Sequence, residues 1–249
     1  MDSDEERVRQ EILRKLEADS EHYLAEYSSR FGNHLNADDA ATLFGEYNQD
    51  PAKYRVAVHP AATWIRDELF RRALATEAPE GKNRVVFTAG GNAAGKSTAI
   101  SFTRQRSRAQ VIFDSTFSNP EQAGKLVGRA LAADKRVTIL YVNRPLEDAF
   151  LGMLERAERE GRVVTINQMI HSHQGAIQTV RSMWGEFQDD PRLEFRFIEN
   201  SSEGPRRGTI ELAAHSDYTK IRASLHELLD RKYQAGRITE SVYGRIRGH

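Results

Sequence analysis

The stretch from Val85 to Ser101, which reads VVFTAGGNAAGKSTAIS, constrains this chain more than any other. Strand-forming residues lead into a glycine-rich turn, and a lysine and two hydroxyl residues then open a helical pattern. Gly90, four further residues and Gly95-Lys96-Ser97 satisfy G-x-x-x-x-G-K-[ST] between the strand and the helix that this pattern requires. The alternative is a chance match on a glycine-rich turn, but the fixed positions and both flanking elements agree. The stretch therefore predicts a phosphate-binding loop.

Each residue type in this loop has its own physical reason. The glycines permit positive φ and let the main chain approach a phosphate closely. The N–H groups from Asn92 to Thr98 are expected to point into one concavity, where the dipole of the following helix also favours negative charge. We expect Lys96 to neutralise the β- and γ-phosphates of ATP and Ser97 to give its hydroxyl to Mg²⁺. The predicted nucleotide-binding residues are Gly90, Gly91, Asn92, Ala93, Ala94, Gly95, Lys96, Ser97 and Thr98.

Composition limits the classes of protein that this chain can represent. Its 249 residues suffice for one large α/β domain or a core domain with an appendage. The 36 basic residues balance 36 acidic ones, so no overall charge favours nucleic acid or an anionic membrane. Cysteine is absent, which excludes disulfides, thiolate nucleophiles and cysteine-ligated zinc. Without a long apolar run or a basic leader, the expectation is a soluble cytoplasmic protein.

The first eighty residues have helical periodicity, with a polar surface and regularly spaced apolar residues. Asn36 is predicted to cap a helix that Pro51 ends, and a further helix is predicted from Ala61 to Ala75 after His59-Pro60. Trp64 is expected to lie on the apolar face of that helix and to be part of the protein core. We therefore predict a helical N-terminal appendage over residues 1–80 and a P-loop kinase-like α/β domain with C-terminal helices over 81–249.

Strand patterns alternate with helical ones after the loop. A strand is predicted to end on Asp114, and residues 136–142 are a near-continuous apolar run of the kind that is buried in a parallel sheet. Residues 193–198 alternate with a period of two, and residues 209–212 are predicted to form a further short strand. This order indicates a doubly wound, mostly parallel sheet of the P-loop NTPase type.

Asp114 is the candidate acidic group of the site. Ligands of open α/β sheets collect outside the carboxyl ends of the strands, so Asp114 and the phosphate loop are expected to face one crevice. Its carboxylate can hold Mg²⁺ or take the proton from an attacking hydroxyl, and a turn or helix-capping role is the structural alternative. Thr116 and Ser118 are predicted to orient a hydroxylated substrate together with Asp114, or else to act as turn hydroxyls.

Arginines in the sequence LERAEREGRVV, residues 154–164, are the second candidate group. Arg156 and Arg159 lie three residues apart on a predicted helix, and Arg162 follows Gly161 in a turn. Arginine from a mobile segment can stabilise the charge that develops in phosphoryl transfer. The alternative is a solvated helix whose glutamates pair with these arginines.

The core from about Val85 to Ser202 resembles the zeta toxin family of P-loop kinases, which phosphorylate UDP-N-acetylglucosamine. The motifs behind the resemblance read GGNAAGKST, VIFDST, YVNRPLEDAFLGMLERAEREGRVV and IENSS. The resemblance implies an ATP- and Mg²⁺-dependent kinase with a hydroxylated acceptor, such as a nucleotide sugar, and an antitoxin partner. It also implies that Arg156 and Arg162 clamp ATP, with Arg159 in reserve. The predicted catalytic residues are Lys96, Asp114, Arg156 and Arg162.

One departure from the family concerns the general base. Zeta toxins carry an additional strand, ending in the catalytic aspartate, between the phosphate-loop helix and the strand that Asp114 would end. Only about a dozen residues separate Thr98 from Val111, which is too few for a strand and a helix. Either Asp114 serves as both base and metal-site residue, or the chain binds nucleotide without phosphorylating that substrate.

His171 and His173 flank Ser172 but lie two residues apart on a predicted helix, so they point to different faces and are not expected to chelate one ion. We interpret them as ordinary surface or groove histidines.

Two functional hypotheses follow from the sequence. The first is a zeta toxin-like small-molecule kinase. The second is a nucleotide-binding or NTP-hydrolysing regulatory module whose helical N-terminus contacts a partner. Phosphorylation of a small molecule from labelled ATP distinguishes them.

Overall fold

The computed structural model describes residues 1–161, 163–213 and 218–247. Helices within these residues are α1 Ser3–Ala18, α2 Ser20–Phe31, α3 Ala37–Ala41, α4 Gly45–Gln49, α5 Pro51–Ala75, α6 Lys96–Phe102, α7 Pro120–Ala132, α8 Leu146–Glu160, α9 Ile166–Phe187, α10 Tyr218–Gln234 and α11 Glu240–Arg247. The strands are β1 His34–Asn36, β2 Arg84–Ala89, β3 Val111–Asp114, β4 Arg136–Asn143, β5 Leu193–Ser201 and β6 Gly204–Gly208.

The strands form one sheet in the order β1-β3-β2-β4-β5-β6. All neighbouring pairs are parallel except β5 and β6, which are antiparallel. Strand β2, which leads into the phosphate loop, therefore lies between β3 and β4. This arrangement confirms the predicted α/β fold with a mostly parallel sheet.

Apolar side chains cover both faces of the sheet, as parallel strands require. Along β2, Val85 and Phe87 belong to a large core with helices of the N-terminal region, whereas Val86 belongs to a smaller core with α6 on the opposite face. Fully burying such a side chain contributes about 1.5–3 kcal/mol. A third cluster joins α8 and α9 to the C-terminal helices α10 and α11.

The N-terminal region differs from the purely helical appendage that the sequence predicted over residues 1–80. His34–Asn36 forms β1, which pairs in parallel with β3 at the edge of the sheet. The hydroxyl of the fully buried Tyr27 accepts a hydrogen bond from the Asn36 N–H at 2.8 Å and donates one to the His34 carbonyl at 2.8 Å. Side chains from α1, α2 and α5 also share the large core with β2 and β3.

Helix α5 is longer than predicted, because it begins at Pro51 and Pro60 does not mark its start, although the preceding helix α4 ends before Pro51 as expected. Asp50 caps the helix by accepting a hydrogen bond from the Lys53 N–H, and Pro51 occupies the first turn, where a missing N–H costs nothing. Pro60 lies inside the helix, at a cost of about 3 kcal/mol. Burial of apolar side chains on both sides of it, such as Val58 and Ile65, offsets this cost.

Two smaller predictions are wrong. Residues 209–212 are not a strand: the turn at Ser202 and Glu203 brings the chain back against β5 earlier, so that β6 is Gly204–Gly208, and Ile210–Ala213 is a 3-10 helix. Trp64 is 42% exposed rather than part of the core, because the buried face of α5 lies on its other side.

None of the helices in the described part of the chain is both long and apolar enough to cross a membrane.

Candidate active site

The phosphate loop connects β2 to α6 at the carboxyl end of the central strand, where ligands of open α/β sheets bind. Positive φ occurs at Gly90 (143°), Ala93 (58°) and Gly95 (85°). Gly91, which we expected to need positive φ, has another role: a Cβ at this position would lie 1.8 Å from the ring of His173. Glycine at position 91 is therefore required by close packing.

The backbone N–H groups of the loop do not all face one concavity, as the sequence suggested. The Asn92 N–H donates to the Ser172 hydroxyl at 3.0 Å, and the Ala94 N–H donates to the Gly91 carbonyl at 3.2 Å. The N–H groups of Lys96, Ser97 and Thr98 belong to the first turn of α6, where an α-helix supplies no acceptor. These first-turn groups are the ones suited to binding phosphate oxygens.

Lys96 folds back over the loop. Its Nζ lies 3.4 Å from the carbonyl oxygens of both Gly90 and Gly91. Ser97 and Thr98 are exposed beside it. The ammonium group therefore stands over the turn, where it can neutralise a bound anion.

Asp114 ends β3 and is buried, with 7% of its surface exposed. Its Oδ1 accepts a hydrogen bond from the Thr88 hydroxyl at 2.5 Å, and its Oδ2 accepts one from the Asn36 amide at 3.0 Å. Burial by itself raises the pKa of Asp114, but the nearby His34 ring, the charge of Lys96 and the Thr88 hydroxyl together hold this pKa below its usual value. Asp114 is thus a carboxylate that attracts cations but takes up protons poorly.

Two cavities meet at this point. The first, of about 410 Å³, lies along the phosphate loop and is lined by Gly95, Lys96, Ser97, Asp114 and Arg156 among other residues. The second, of about 310 Å³, lies between α5 and the segment that follows β3. The residues that line both cavities are Asn36, Asp38, Arg55, Asn92, Lys96 and Asp114.

Thr116 and Ser118 line the second cavity, and their hydroxyls lie 2.9 Å apart within hydrogen-bonding distance. The opposite wall is a polar stripe on α5 that sequence reasoning missed, formed by Arg55, His59, Thr63 and Arg66. Its spacing, with successive residues three or four apart, places these side chains on one face of the helix. This spacing was visible in the sequence, but we assigned the region to an appendage.

The stripe carries positive charge, and its arginines are held in place. Arg66 is 9% exposed, lies over the Phe113 ring at 4.5 Å and donates to Asp67 at 2.8 Å. Arg55 donates to the Val163 carbonyl at 3.2 Å. The second cavity therefore has fixed basic groups on one wall.

The arginines of α8 are only partly placed by the structure. Arg156 lines the cavity along the phosphate loop, and Arg159 lies in the last turn of the same helix. Arg162 lies outside the residues that the structure describes. The proximity of Arg156 to the loop agrees with a role in binding nucleotide.

His173 was misinterpreted as a surface or groove residue. It is buried, with 7% of its surface exposed, and its Nε2 lies 2.9 Å from the Asn92 carbonyl of the phosphate loop. Ser172 is likewise buried and contacts the same residue of the loop. No local pattern marked these contacts, because about eighty residues separate the partners in the chain.

Strand β1 has a further consequence for the site. Zeta toxins have a base-bearing strand that this chain lacks after α6, but β1 from the N-terminal region lies next to β3 instead. Asn36 at its end contacts Asp114, and Asp38 just beyond it lines both cavities. The N-terminal region thus supplies polar groups to the site.

The residues present suit a magnesium ion. The Ser97 hydroxyl and the Asp114 carboxylate line the same cavity, and oxygen ligands are those that Mg²⁺ prefers. The low pKa of Asp114 keeps its carboxylate charged. Among the residues described, there is no group of three or more His, Cys, Asp or Glu that could hold a metal by itself. A magnesium ion here would depend on phosphate oxygens and water for its other ligands.

Comparison with known proteins supports the resemblance stated above. The family model described as Zeta toxin matches residues 104–192, a range that begins after the phosphate loop and includes Asp114, Arg156 and Arg162. This match confirms the predicted resemblance to the zeta toxin family over those residues. No curated protein sequence matches the chain.

Several solved structures are similar to most of the chain at a low level. The native AvrRxo1-ORF1:ORF2 complex has 11% identity and a TM-score of 0.45, covering 82% of this chain and 88% of the other. The AvrRxo1-ORF1:AvrRxo1-ORF2 structure with ATP has 14% identity and a TM-score of 0.43, covering 81% and 87%. The structure with sulphate ions has 14% identity and a TM-score of 0.42, covering 73% and 82%. Similarity at this level places no ligand in the present chain.

Proposed function

We propose that this zeta toxin-like chain is an ATP-dependent kinase that transfers the γ-phosphate to a hydroxyl group of a small molecule. The observation that carries the proposal is the meeting of two cavities at Lys96 and Asp114. One cavity runs along the phosphate loop and suits the donor, and the other lies beyond it and suits an acceptor. A protein that only hydrolyses nucleotide needs no second cavity at this position.

The donor cavity has the charges that a triphosphate requires. Lys96 stands over the loop, the N–H groups of the first turn of α6 are available, and Arg156 lines the same cavity. Mg²⁺, held by Ser97 and Asp114, would neutralise part of the developing charge. Since phosphoryl transfer is catalysed mainly by positioning and charge stabilisation, these groups are of the kind that the reaction requires.

The acceptor would lie between α5 and the segment with Thr116 and Ser118. We assign Asp114 to the metal site rather than to proton abstraction, because a carboxylate with a lowered pKa is a weak base. The family resemblance supports a nucleotide sugar as the acceptor and a protein antitoxin as a partner. Co-expression with the product of an adjacent gene, followed by purification of this protein, would test whether such a partner binds to it.

The central experiment incubates the protein with γ-labelled ATP and a metabolite extract. The proposal requires a labelled small molecule, whereas production of ADP and free phosphate alone would favour the NTP-hydrolysing module. Lys96→Ala should weaken Mg·ATP binding about 10- to 100-fold, because it removes a charged partner of the phosphates. Lys125→Ala is the matched control, since Lys125 is exposed on α7 and pairs with Glu121. Unchanged nucleotide affinity in Lys96→Ala would contradict both functions.

A further inference from the structure

Two adjacent residues of α9 hold both sides of Asn92 in the phosphate loop. The Ser172 hydroxyl donates to the Met169 carbonyl at 2.9 Å and accepts from the Asn92 N–H at 3.0 Å. The His173 Nε2 lies 2.9 Å from the Asn92 carbonyl, and since a carbonyl only accepts, this nitrogen carries the proton. The orientation of the peptide groups around Asn92 is therefore fixed from outside the loop.

The next two residues of the loop are held in the same way. The Ala93 carbonyl accepts a hydrogen bond from Arg144 at 3.2 Å, and the Ala94 carbonyl accepts one from the buried Asn200 at 2.8 Å. Three successive carbonyls, of residues 92 to 94, thus point toward side chains of the surrounding scaffold. When the carbonyls of a turn are held outward, the N–H groups that follow are left to face an anion.

The glycines of the loop are matched to these contacts. A Cβ on Gly91 would lie 1.8 Å from the His173 ring, and a Cβ on Gly95 would lie 2.0 Å from the Asn200 amide. Ala93, between them, has a φ of 58°, a left-handed conformation that is strained for a residue with a Cβ. External hydrogen bonds on both sides of Ala93 stabilise this conformation.

His173 is neutral under physiological conditions. Burial, together with the positive charges of Lys96 and Arg144, lowers the pKa of His173 from 6.5 to about 4, although the hydrogen bond to the Asn92 carbonyl opposes the shift. The neutral ring adds no charge next to Lys96, so its contribution is one of position.

Helix α9 also reaches the other half of the site. A Cβ on Gly175 would lie 2.4 Å from the Ser118 carbonyl, so the helix backbone packs closely against the segment that lines the acceptor cavity. One helix therefore contacts the phosphate loop through Ser172 and His173 and the acceptor segment one turn away.

From these contacts we propose that Ser172 and His173 are positioning residues for the nucleotide phosphates, acting through Asn92 rather than by touching the ligand. The proposal rests on the nucleotide-binding function proposed above. It states that the N–H donor of His173 and the acceptor of Ser172 keep the loop in its anion-binding conformation before ATP arrives. Removing them should weaken phosphate binding even though the fold is retained.

The test compares variants of the full chain by calorimetric titration with Mg·ATP and with AMP. His173→Phe keeps a ring but loses the donor, and should weaken Mg·ATP binding about tenfold. His173→Gln retains an N–H donor and should stay within about threefold of the wild type, and Ser172→Ala should fall between the two. The losses should be smaller for AMP, which lacks the β- and γ-phosphates.

Thr179→Val is the matched control, because Thr179 is fully buried six residues further along the same helix and its hydroxyl has no hydrogen-bond partner. Thermal melting shows whether each variant is folded. If His173→Phe is not folded, the affinity of Ser172→Ala for Mg·ATP provides the test. The inference is overturned if His173→Phe or Ser172→Ala binds Mg·ATP as tightly as the wild type, or if His173→Gln binds as weakly as His173→Phe. Failure of the wild type itself to bind Mg·ATP would instead overturn the proposed function, and the inference with it.

Discussion

Replacing His173 with glutamine should make the folded protein less sensitive to acid than the wild type. The cause is the difference between the two states of the histidine: its pKa is about 4 in the buried site and near 6.5 in the unfolded chain. Between these values the unfolded chain binds a proton that the folded chain excludes. Stability from this residue is therefore complete above about pH 6.5 and is lost progressively as the pH falls toward 4.

The size of the effect follows from the linkage between proton binding and unfolding. With these two pKa values, lowering the pH from 7 to 5 costs the wild type about 2 kcal/mol of unfolding free energy through His173 alone. Glutamine does not titrate, so the variant should lose about 2 kcal/mol less over the same range. The substitution itself also lowers the stability of the variant at pH 7. Comparing each protein with itself at pH 7 and pH 5 removes this constant difference.

Urea denaturation of both proteins at pH 7 and at pH 5 measures the difference. His171→Gln provides the control, because His171 is exposed on the same helix and its ring stays in water in both states. An equal loss of stability in the wild type and His173→Gln would refute the reasoning, since it would mean that the imidazole takes up its proton without leaving the site. The control should lose as much stability as the wild type, and a loss in His171→Gln as small as that in His173→Gln would assign the effect to a surface residue.

Tyr27→Phe should lower the free energy of unfolding by about 1–3 kcal/mol, because it leaves the Asn36 N–H and the His34 carbonyl without the hydroxyl that joins them. An unchanged urea midpoint would show that β1 is held by its pairing with β3 alone. Arg162→Ala, a prediction from the family resemblance, should lower turnover far more than ATP affinity. Equal losses in both would mean that Arg162 only holds the ground-state nucleotide.

The sequence predicted those features that depend on residues close together in the chain. The place of the glycine-rich loop between a strand and a helix, the α/β class, the mostly parallel sheet and the zeta toxin-like resemblance were all predicted correctly. The position of Asp114 at a strand end followed from a short run of apolar residues with a carboxylate after it. Each of these rests on local spacing, which the residues themselves fix.

Errors arose where a short or interrupted pattern was read without its tertiary partners. His34–Asn36 is too short for a strand pattern, and it forms one only because β3 and Tyr27 supply its hydrogen bonds. Pro60 looked like a helix boundary, but apolar burial on both sides keeps α5 continuous. The polar stripe of α5 could be recognised as part of a cavity wall only once the helix was seen to face the segment after β3.

The sequence by itself determined that a glycine-rich turn of the phosphate-loop pattern joins a strand of a parallel sheet to a helix, because strand, glycines, lysine and helix follow one another directly. Only the tertiary structure decided what holds that turn and what lies beside it: Ser172, His173 and Asn200 come from elements about 80 to 106 residues away. The burial of His173, its lowered pKa and the contact with Gly91 all result from packing between distant segments, and packing of this kind leaves no periodic trace in the chain.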